Sequence, residues 1–362
     1  MTRLADRIAD TIAANGPIGV AEYMALCLFD PPDGYYTTRE PFGRVGDFTT
    51  APEISQMFGE IVGVWIVAAW QSLASPAPVA IAEIGPGRGT LMKDALRTIA
   101  RLAPDLLAAA EIFMIETSPR LAEIQKDTMA GTDAGISWHA TVEALPARPV
   151  LVVANELFDA IPVRQFVKTG SGWRERLVGL DEQGRLAFVA GPSGIDAGLL
   201  PADAADAQVG AIVEIAPARA ALMDAIAGHI AGHGGAGLFI DYGYAKPAVG
   251  DTLQALRRHA FDDVLAHPGE ADLTSHVDFA ALGAVAQRHG LDQRLLTQGE
   301  FLLGMGLLER AGMLGADASD TVRDRLRGEV ERLAGPDAMG GLFKALCIAP
   351  SGRLPEPFAS PH

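Results

Sequence analysis

Cysteine is nearly absent from this chain: Cys27 and Cys347 are the only two in 362 residues, and they lie far apart. Two such thiols build no disulfide framework, and no CxxC pair or Cys/His cluster has zinc spacing. The expectation is a reducing compartment, with both thiols buried as small hydrophobes rather than acting as nucleophiles. Long apolar runs are missing as well. The nearest approach to the ~18 uninterrupted apolar residues of a spanning helix is the run 54–70, which Gln56, Gly59, Glu60 and Gly63 interrupt. Lysine is scarce, 5 residues against 24 arginines, and 29 basic residues face 45 acidic ones for a net charge of −16. A chain this acidic lacks the basic surface that general nucleic-acid binding requires. It suits a small ligand or a basic protein partner better. Internal repeats and low-complexity tracts are also absent.

What is present belongs to a globular protein, 49% apolar and 20% charged, with length for about two domains at roughly 150 residues each. The opening MTRLADRIADTIAANG puts Leu4, Ile8 and Ile12 on one helical face. It lacks the apolar centre of a secretory signal and carries acids that a transit peptide avoids. Together with the arginine-, alanine- and glycine-rich composition, this leads to the expectation of a cytoplasmic, bacterial protein.

Residues 1–75 read as an N-terminal helical region holding a long loop, 30–53, whose length suggests a functional lid. A helix is expected from Thr50, with Glu53 completing a capping box and Pro52 in the first turn. Residues 76–362 read as the core. Apolar runs at 78–85, 111–116, 136–140, 149–155 and 237–243 are strands, and amphipathic helices follow the first two from Gly89 and Ser118. That alternation means a parallel sheet covered by helices on both faces, an α/β fold of Rossmann-like type. At about 163–215, short strands with turns at 169–172 and 181–184 predict an antiparallel β insertion. Residues 341–349 are a candidate last strand.

The sharpest motif is AEIGPGRGTL, residues 82–91. A strand ends in Glu83, then Gly85, Gly87 and Gly89 alternate, then a helix begins. Glycines there permit the tight turn and let backbone approach a ligand at the helix N-terminus. The dinucleotide fingerprint GxGxxG/A requires a small third residue where this chain has Thr90. GxGxG behind an acid is instead the pattern of S-adenosylmethionine (SAM) methyltransferases, which argues against a nicotinamide dehydrogenase. Glu116, at the end of the second strand, is placed to accept both ribose hydroxyls of a nucleoside. A carboxylate there also compensates the helix N-terminus at Ser118–Pro119. The fourth strand ends in ANELFDAIPV, setting Asn155, Glu156 and Asp159 beyond the carboxyl ends of the strands, where ligands of open α/β sheets lie. Asn155 and Asp159 can equally satisfy turn backbone. Asp241 and Tyr242 share that rim, and His276 is a weaker candidate. In the loop 44–50, Gly46 gives freedom to bend and Phe48 an apolar anchor, so the loop can close over the cofactor and present Asp47. Alternatively Asp47 bonds local backbone.

The blocks GDFTTAPEIS, AEIGPGRGTL, ANELFDAIPV, IDYGY and PGEADLTSHVDF, with Glu116 between the second and third, come in the order found in the MidA family. These are homologues of the mitochondrial complex I assembly factor that is a protein arginine methyltransferase. The resemblance runs from the first helix to near the C-terminus. It implies a SAM-dependent methyltransferase with an extra N-terminal helical region. For the mitochondrial members it implies symmetric dimethylation of an arginine in a complex I subunit. Glu83, Gly85, Gly87, Gly89, Glu116, Asn155 and Phe48 are then the cofactor-binding residues. Glu156 is the acceptor carboxylate, with Asp47 or Asp159 as its partner. The partners expected are a basic protein or peptide, with a complex I subunit as the candidate the resemblance offers, and no nucleic acid, no membrane insertion and no metal. A small-molecule methyltransferase and an assembly chaperone that binds SAM without turnover are the alternatives.

Overall fold

The apolar runs assemble into one large mixed sheet. The computed structural model describes residues 2–39, 50–132 and 134–359; Asp47 and Phe48 lie outside them. The strands are β1 (Val79–Ile84), β2 (Ala110–Ile115), β3 (Ile136–His139), β4 (Val150–Asn155), β5 (Gly235–Tyr244), β6 (Leu291–Thr297) and β7 (Phe343–Pro350), in the order β3-β2-β1-β4-β5-β7-β6. From β3 to β5 every pairing is parallel. Every residue of β1 is buried, as a strand covered on both faces must be. The C-terminal strand β7 inserts antiparallel between β5 and β6, a direction its apolar composition does not encode. The chain runs outward from β1 through β2 to β3 and returns to β4 on the other side of β1. The carboxyl ends of β1 and β4 thus flank the point where strand order reverses, the place where open α/β sheets bind ligands.

The expected helix from Thr50 is two helices, α1 (Ala51–Ile54) and α2 (Gln56–Ser72). The capping box does not form: Thr50 makes no side-chain cap bond. Instead Ser55, extended at φ −155°, breaks the helix and its hydroxyl accepts the Met57 N–H. Helix α2 packs closely on α3 (Thr90–Leu102). A Cβ on Gly63 would stand 2.8 Å from the Ala95 carbonyl oxygen, and one on Gly59 2.7 Å from Asp94 Cβ. Buried Glu60, also on α2, accepts hydrogen bonds from Arg97 and from Arg310 of the helix Leu307–Gly315. Burial alone raises its pKa, but the two guanidiniums outweigh that and hold it below the usual carboxylate range.

Two compact units divide the described residues. One is drawn from Met1–Phe48, Phe158–Ala221 and Lys246–Asp278, the other from Thr49–Leu157, Leu222–Ala245 and Phe279–His362. The large sheet belongs to the second. The boundary expected near residue 75 therefore lies inside a unit. In the first unit the helices Arg3–Asn15 and Val20–Phe29 share a core with the β insertion: Leu4, Ile8, Met24 and Leu28 cluster with Val163 and Val178 of the insertion, and with Leu273 of the strand Asp272–Thr274. These contacts join residues more than a hundred positions apart, which local periodicity does not report. The insertion is antiparallel as expected, with strands Arg164–Thr169, Gly172–Leu180, Leu186–Ala190 and Ile212–Ile215. Both cysteines are buried, and burial pushes the Cys27 thiol up to about 12. Among the described residues no helix is long and apolar enough to cross a membrane.

The α2–α3 crossing gives a direct test. Alanine is the better helix former by about 1 kcal/mol, yet Gly63→Ala should lose about 1–3 kcal/mol in urea unfolding because backbone must move to admit the methyl. Exposed Gly328 on the helix Asp320–Ala334 has nothing within 4 Å of an added Cβ. Gly328→Ala should therefore gain about 0.4–1 kcal/mol. Equal effects at both sites would refute the packing argument.

Candidate functional site

The carboxyl ends of β1, β2 and β4 converge on a set of acidic and amide side chains, all in the second unit. Strand β1 delivers Glu83, 2% exposed, whose carboxylate accepts the Met92 N–H of α3. Its Oε2 is buried and has no partner among the described residues. Burial, with a smaller contribution from the charge of Glu116, pushes Glu83 up to about 8 against the pull of Met92.

The chain then reverses through Gly85, Gly87 and Gly89 at φ of +67°, +56° and +80°, a left-handed conformation that side chains with a Cβ rarely adopt. Helix α3 starts immediately after. Thr90, its first residue, donates its hydroxyl to Glu53 Oε1 at 2.8 Å, and Arg88 Nη1 lies 3.9 Å from Glu53 Oε2. Glu53 thus ties α1 to the glycine loop instead of capping its own helix.

Strand β2 ends at Glu116. Its Oε1 accepts the Ser118 N–H at 2.8 Å and its Oε2 accepts Gln125 Nε2 at 3.0 Å. Ser118 also caps the helix α4 (Pro119–Thr128) through the Leu121 N–H, so helix-end compensation and an acid aimed at the strand end coexist in one residue. Burial raises the Glu116 carboxyl, opposed by the Ser118 N–H and by Gln125. Gln125, fully buried, also donates to the Gly87 carbonyl at 2.9 Å and accepts from Trp138 Nε1 of β3 at 3.1 Å.

Strand β4 ends at Asn155, whose Nδ2 donates to Glu156 Oε1 at 2.9 Å, while its Oδ1 is buried without a partner among the described residues. Glu156 Oε1 also accepts the Ala51 N–H of α1 at 3.3 Å. Glu156 has φ +52°. A glutamate in the left-handed region is strained by about 1–3 kcal/mol, and such residues gather at functional sites.

The structure thus brings Glu83, the glycine loop and Glu116 together, joins Asn155 to Glu156, and links the two groups through α1, which bonds the loop by Glu53 and Glu156 by the Ala51 N–H. Asp159 belongs to the other unit. There it is 6% exposed, and its carbonyl accepts Arg219 Nη2 and the Ser275 N–H. Burial, then the charges of Asp272 and Asp159, raise the Tyr36 hydroxyl well above its ordinary value. His276 contributes backbone, its N–H to Thr252 and its carbonyl to Arg219. Asp241, wholly buried on β5, accepts the Tyr242 N–H. Sequence reading missed Gln125 and Arg219, and gave Glu53 a capping role where it bonds Thr90 instead. Of these only Gln125 carried a local signal: it sits one helical turn after buried Leu121, a polar residue on an inward face.

Residues 61–297 match the model of a family described as "Putative S-adenosyl-L-methionine-dependent methyltransferase". The chain is 34% identical over 373 residues to a Danio rerio protein named "Protein arginine methyltransferase NDUFAF7, mitochondrial", covering 96% of this chain and 87% of that one. To the Homo sapiens protein of the same name it is 36% identical over 369 residues, covering 95% and 82%. It also resembles a solved Burkholderia thailandensis protein, a "likely methyl transferase" bound to S-adenosyl-homocysteine. That match has a TM-score of 0.83 and 29% identity over 96% of this chain and 91% of that one. These relatives overturn the expectation of a cytoplasmic, bacterial protein, since those from vertebrates and from Drosophila melanogaster are named as mitochondrial. Arginine-rich composition reports codon usage, and codon usage carries no compartment. On the family match and on relatives aligned over nearly its whole length, this chain belongs to the S-adenosyl-L-methionine-dependent methyltransferase family, and S-adenosyl-L-methionine is its cofactor.

Proposed function

We propose that this chain methylates an arginine side chain of a protein, and that Glu83, the glycine loop, Glu116 and Asn155 hold the cofactor while Glu156 holds the acceptor. The observation that carries the division is the strained Glu156 backbone at the end of β4, beside Asn155. The relatives' shared name supports arginine as the acceptor, and the net charge of −16 suits a basic protein. By resemblance we extend this to a subunit of respiratory complex I.

The residues fit the cofactor. Glu83 Oε2 and Asn155 Oδ1 are buried acceptors lacking partners among the described residues, and buried acceptors without donors are costly unless a ligand supplies them. Glu116 presents a carboxylate to ribose hydroxyls, and the glycine loop offers backbone at the α3 N-terminus. When bound, SAM supplies a methyl on a sulfonium sulfur, electrophilic enough that catalysis is chiefly position and electrostatics. An arginine acceptor is always protonated. Its guanidinium nitrogen would gain the methyl as the sulfur–methyl bond breaks, with S-adenosyl-homocysteine as the neutral leaving group, and would give up one proton. A carboxylate such as Glu156 orients the planar cation by charge-assisted bonds and stands ready to take that proton. Incubating the protein with labelled SAM and a mitochondrial extract, then mapping the label by mass spectrometry, tests the acceptor. Label on small molecules alone, or on lysine, refutes the proposal.

Glu156→Gln keeps the shape and removes the charge. SAM affinity should stay within about twofold, while turnover at saturating SAM falls by about 100-fold or more. Lost affinity with preserved turnover would move Glu156 to the cofactor side. Gly87→Val places a β-branched residue at φ +56° and should abolish SAM binding. Glu116→Ala should weaken it by about 1–3 kcal/mol. Calorimetry showing both variants unchanged would refute the cofactor assignment.

The Glu83 shift predicts a pH dependence. Its folded value of about 8 lies above the ordinary 4.5, so between those limits the folded chain holds a proton that the unfolded chain has released. Stability of the ligand-free protein must therefore fall as pH rises through this window. Glu83→Gln removes that slope, and its advantage over the wild type should grow by roughly 2–4 kcal/mol between pH 5 and pH 8. Parallel stability curves for the two proteins would show that Glu83 does not titrate there.

A further inference from the structure

We propose that Gln125 is a positioning residue that holds the Glu116 carboxylate and the Gly87 carbonyl in one frame, and so sets recognition of the cofactor ribose. The proposal rests on the reading of Glu116 as the ribose acceptor. Gln125 is 0% exposed, and its amide orientation is dictated by its neighbours. Trp138 Nε1 is a donor only, so it must face Gln125 Oε1, while the Gly87 carbonyl and the Glu116 carboxylate are acceptors only and must face Nε2. The bonds are 3.1, 2.9 and 3.0 Å. Both Nε2 protons are used, one on each part of the candidate pocket. Loop and acid come from different strands, and this is a direct side-chain bridge between them.

The neighbourhood is built to admit that side chain. A Cβ on Gly89 would lie 3.5–3.6 Å from Gln125 carbon atoms, so the loop already packs against the glutamine. On α4, Leu121 and Gln125 are the buried residues, and the Ser118 cap fixes where the helix begins. Glutamate at 125 would set a second carboxylate against Glu116 and leave the Gly87 carbonyl without its donor. Methionine would match the volume and offer neither proton.

The test separates positioning from mere structural support by using two ligands, S-adenosyl-homocysteine and its 2′,3′-dideoxy counterpart. The wild type should bind the dideoxy compound about 10- to 100-fold more weakly, since the carboxylate loses its ribose donors. Gln125→Met should weaken S-adenosyl-homocysteine by about 10-fold or more and the dideoxy compound distinctly less, because both ligands lose the support at Gly87 while only the first loses its ribose bonds to Glu116. Equal weakening of both ligands would mark Gln125 as structural and overturn the proposal, as would unchanged binding of both. Should Gln125→Met not fold, Trp138→Phe removes the bond that anchors the amide, together with part of the ring that packs on the core and lies under Lys126. It should weaken S-adenosyl-homocysteine in the same selective way, and loss without selectivity again overturns the proposal. A wild type that binds the two ligands alike would instead refute the ribose reading of Glu116, and the proposal with it.

Discussion

Three left-handed residues in five, at 85, 87 and 89, are the constraint on which the proposed cofactor side of this protein depends. They reverse the chain directly after a strand whose every residue is buried. The reversal leaves the start of α3 at the carboxyl edge of the sheet, where backbone N–H groups and the helix dipole favour an electron-rich ligand. Glu53 and Gln125 hold the loop from two directions, through the Thr90 hydroxyl and the Gly87 carbonyl. A loop with this much conformational freedom when unfolded needs such ties to be ordered.

Buried acids are the second theme. The charge of Glu116 disfavours the ionisation of Glu83, and burial disfavours that of both. Folding alone gains nothing from such a pair. On the cofactor assignment proposed above, a ligand carrying a cationic sulfonium and hydroxyl donors would reverse the sign by stabilising the ionised forms. Glu60 is the contrast. Buried at 5% exposed, it faces Arg97 and Arg310 and is held below the ordinary carboxylate range, as a structural ion pair should be. Burial does not distinguish a binding acid from a scaffold acid; the partner does.

The first unit shows why a reading by segments misplaces boundaries. Its N-terminal helices and its β insertion are separated by the glycine loop and the first four sheet strands, yet they share one core. An amphipathic helix states which face is apolar and says nothing of what will cover it. Glu156 and Asp159 make the same point at close range: three residues apart in a single motif, they belong to different compact units.

What the sequence by itself determined is local: the strand–glycine–helix unit at 79–102, the acid closing β2, the capped helix at Ser118, the antiparallel insertion and the family. Each depends on requirements met within a few residues, such as positive φ, apolar period or cap chemistry, and so each is legible without a partner. Only the tertiary structure decided the direction of β7, the break at Ser55, whose hydroxyl also donates to Glu329 at 2.7 Å, the use of Glu53 on Thr90, and the burial of Gln125 between Gly87, Glu116 and Trp138. It also placed the N-terminal helices against the insertion. Those features are set by contacts between residues distant in the chain, where hydrogen-bond complementarity and packing choose among options that local propensity leaves equal.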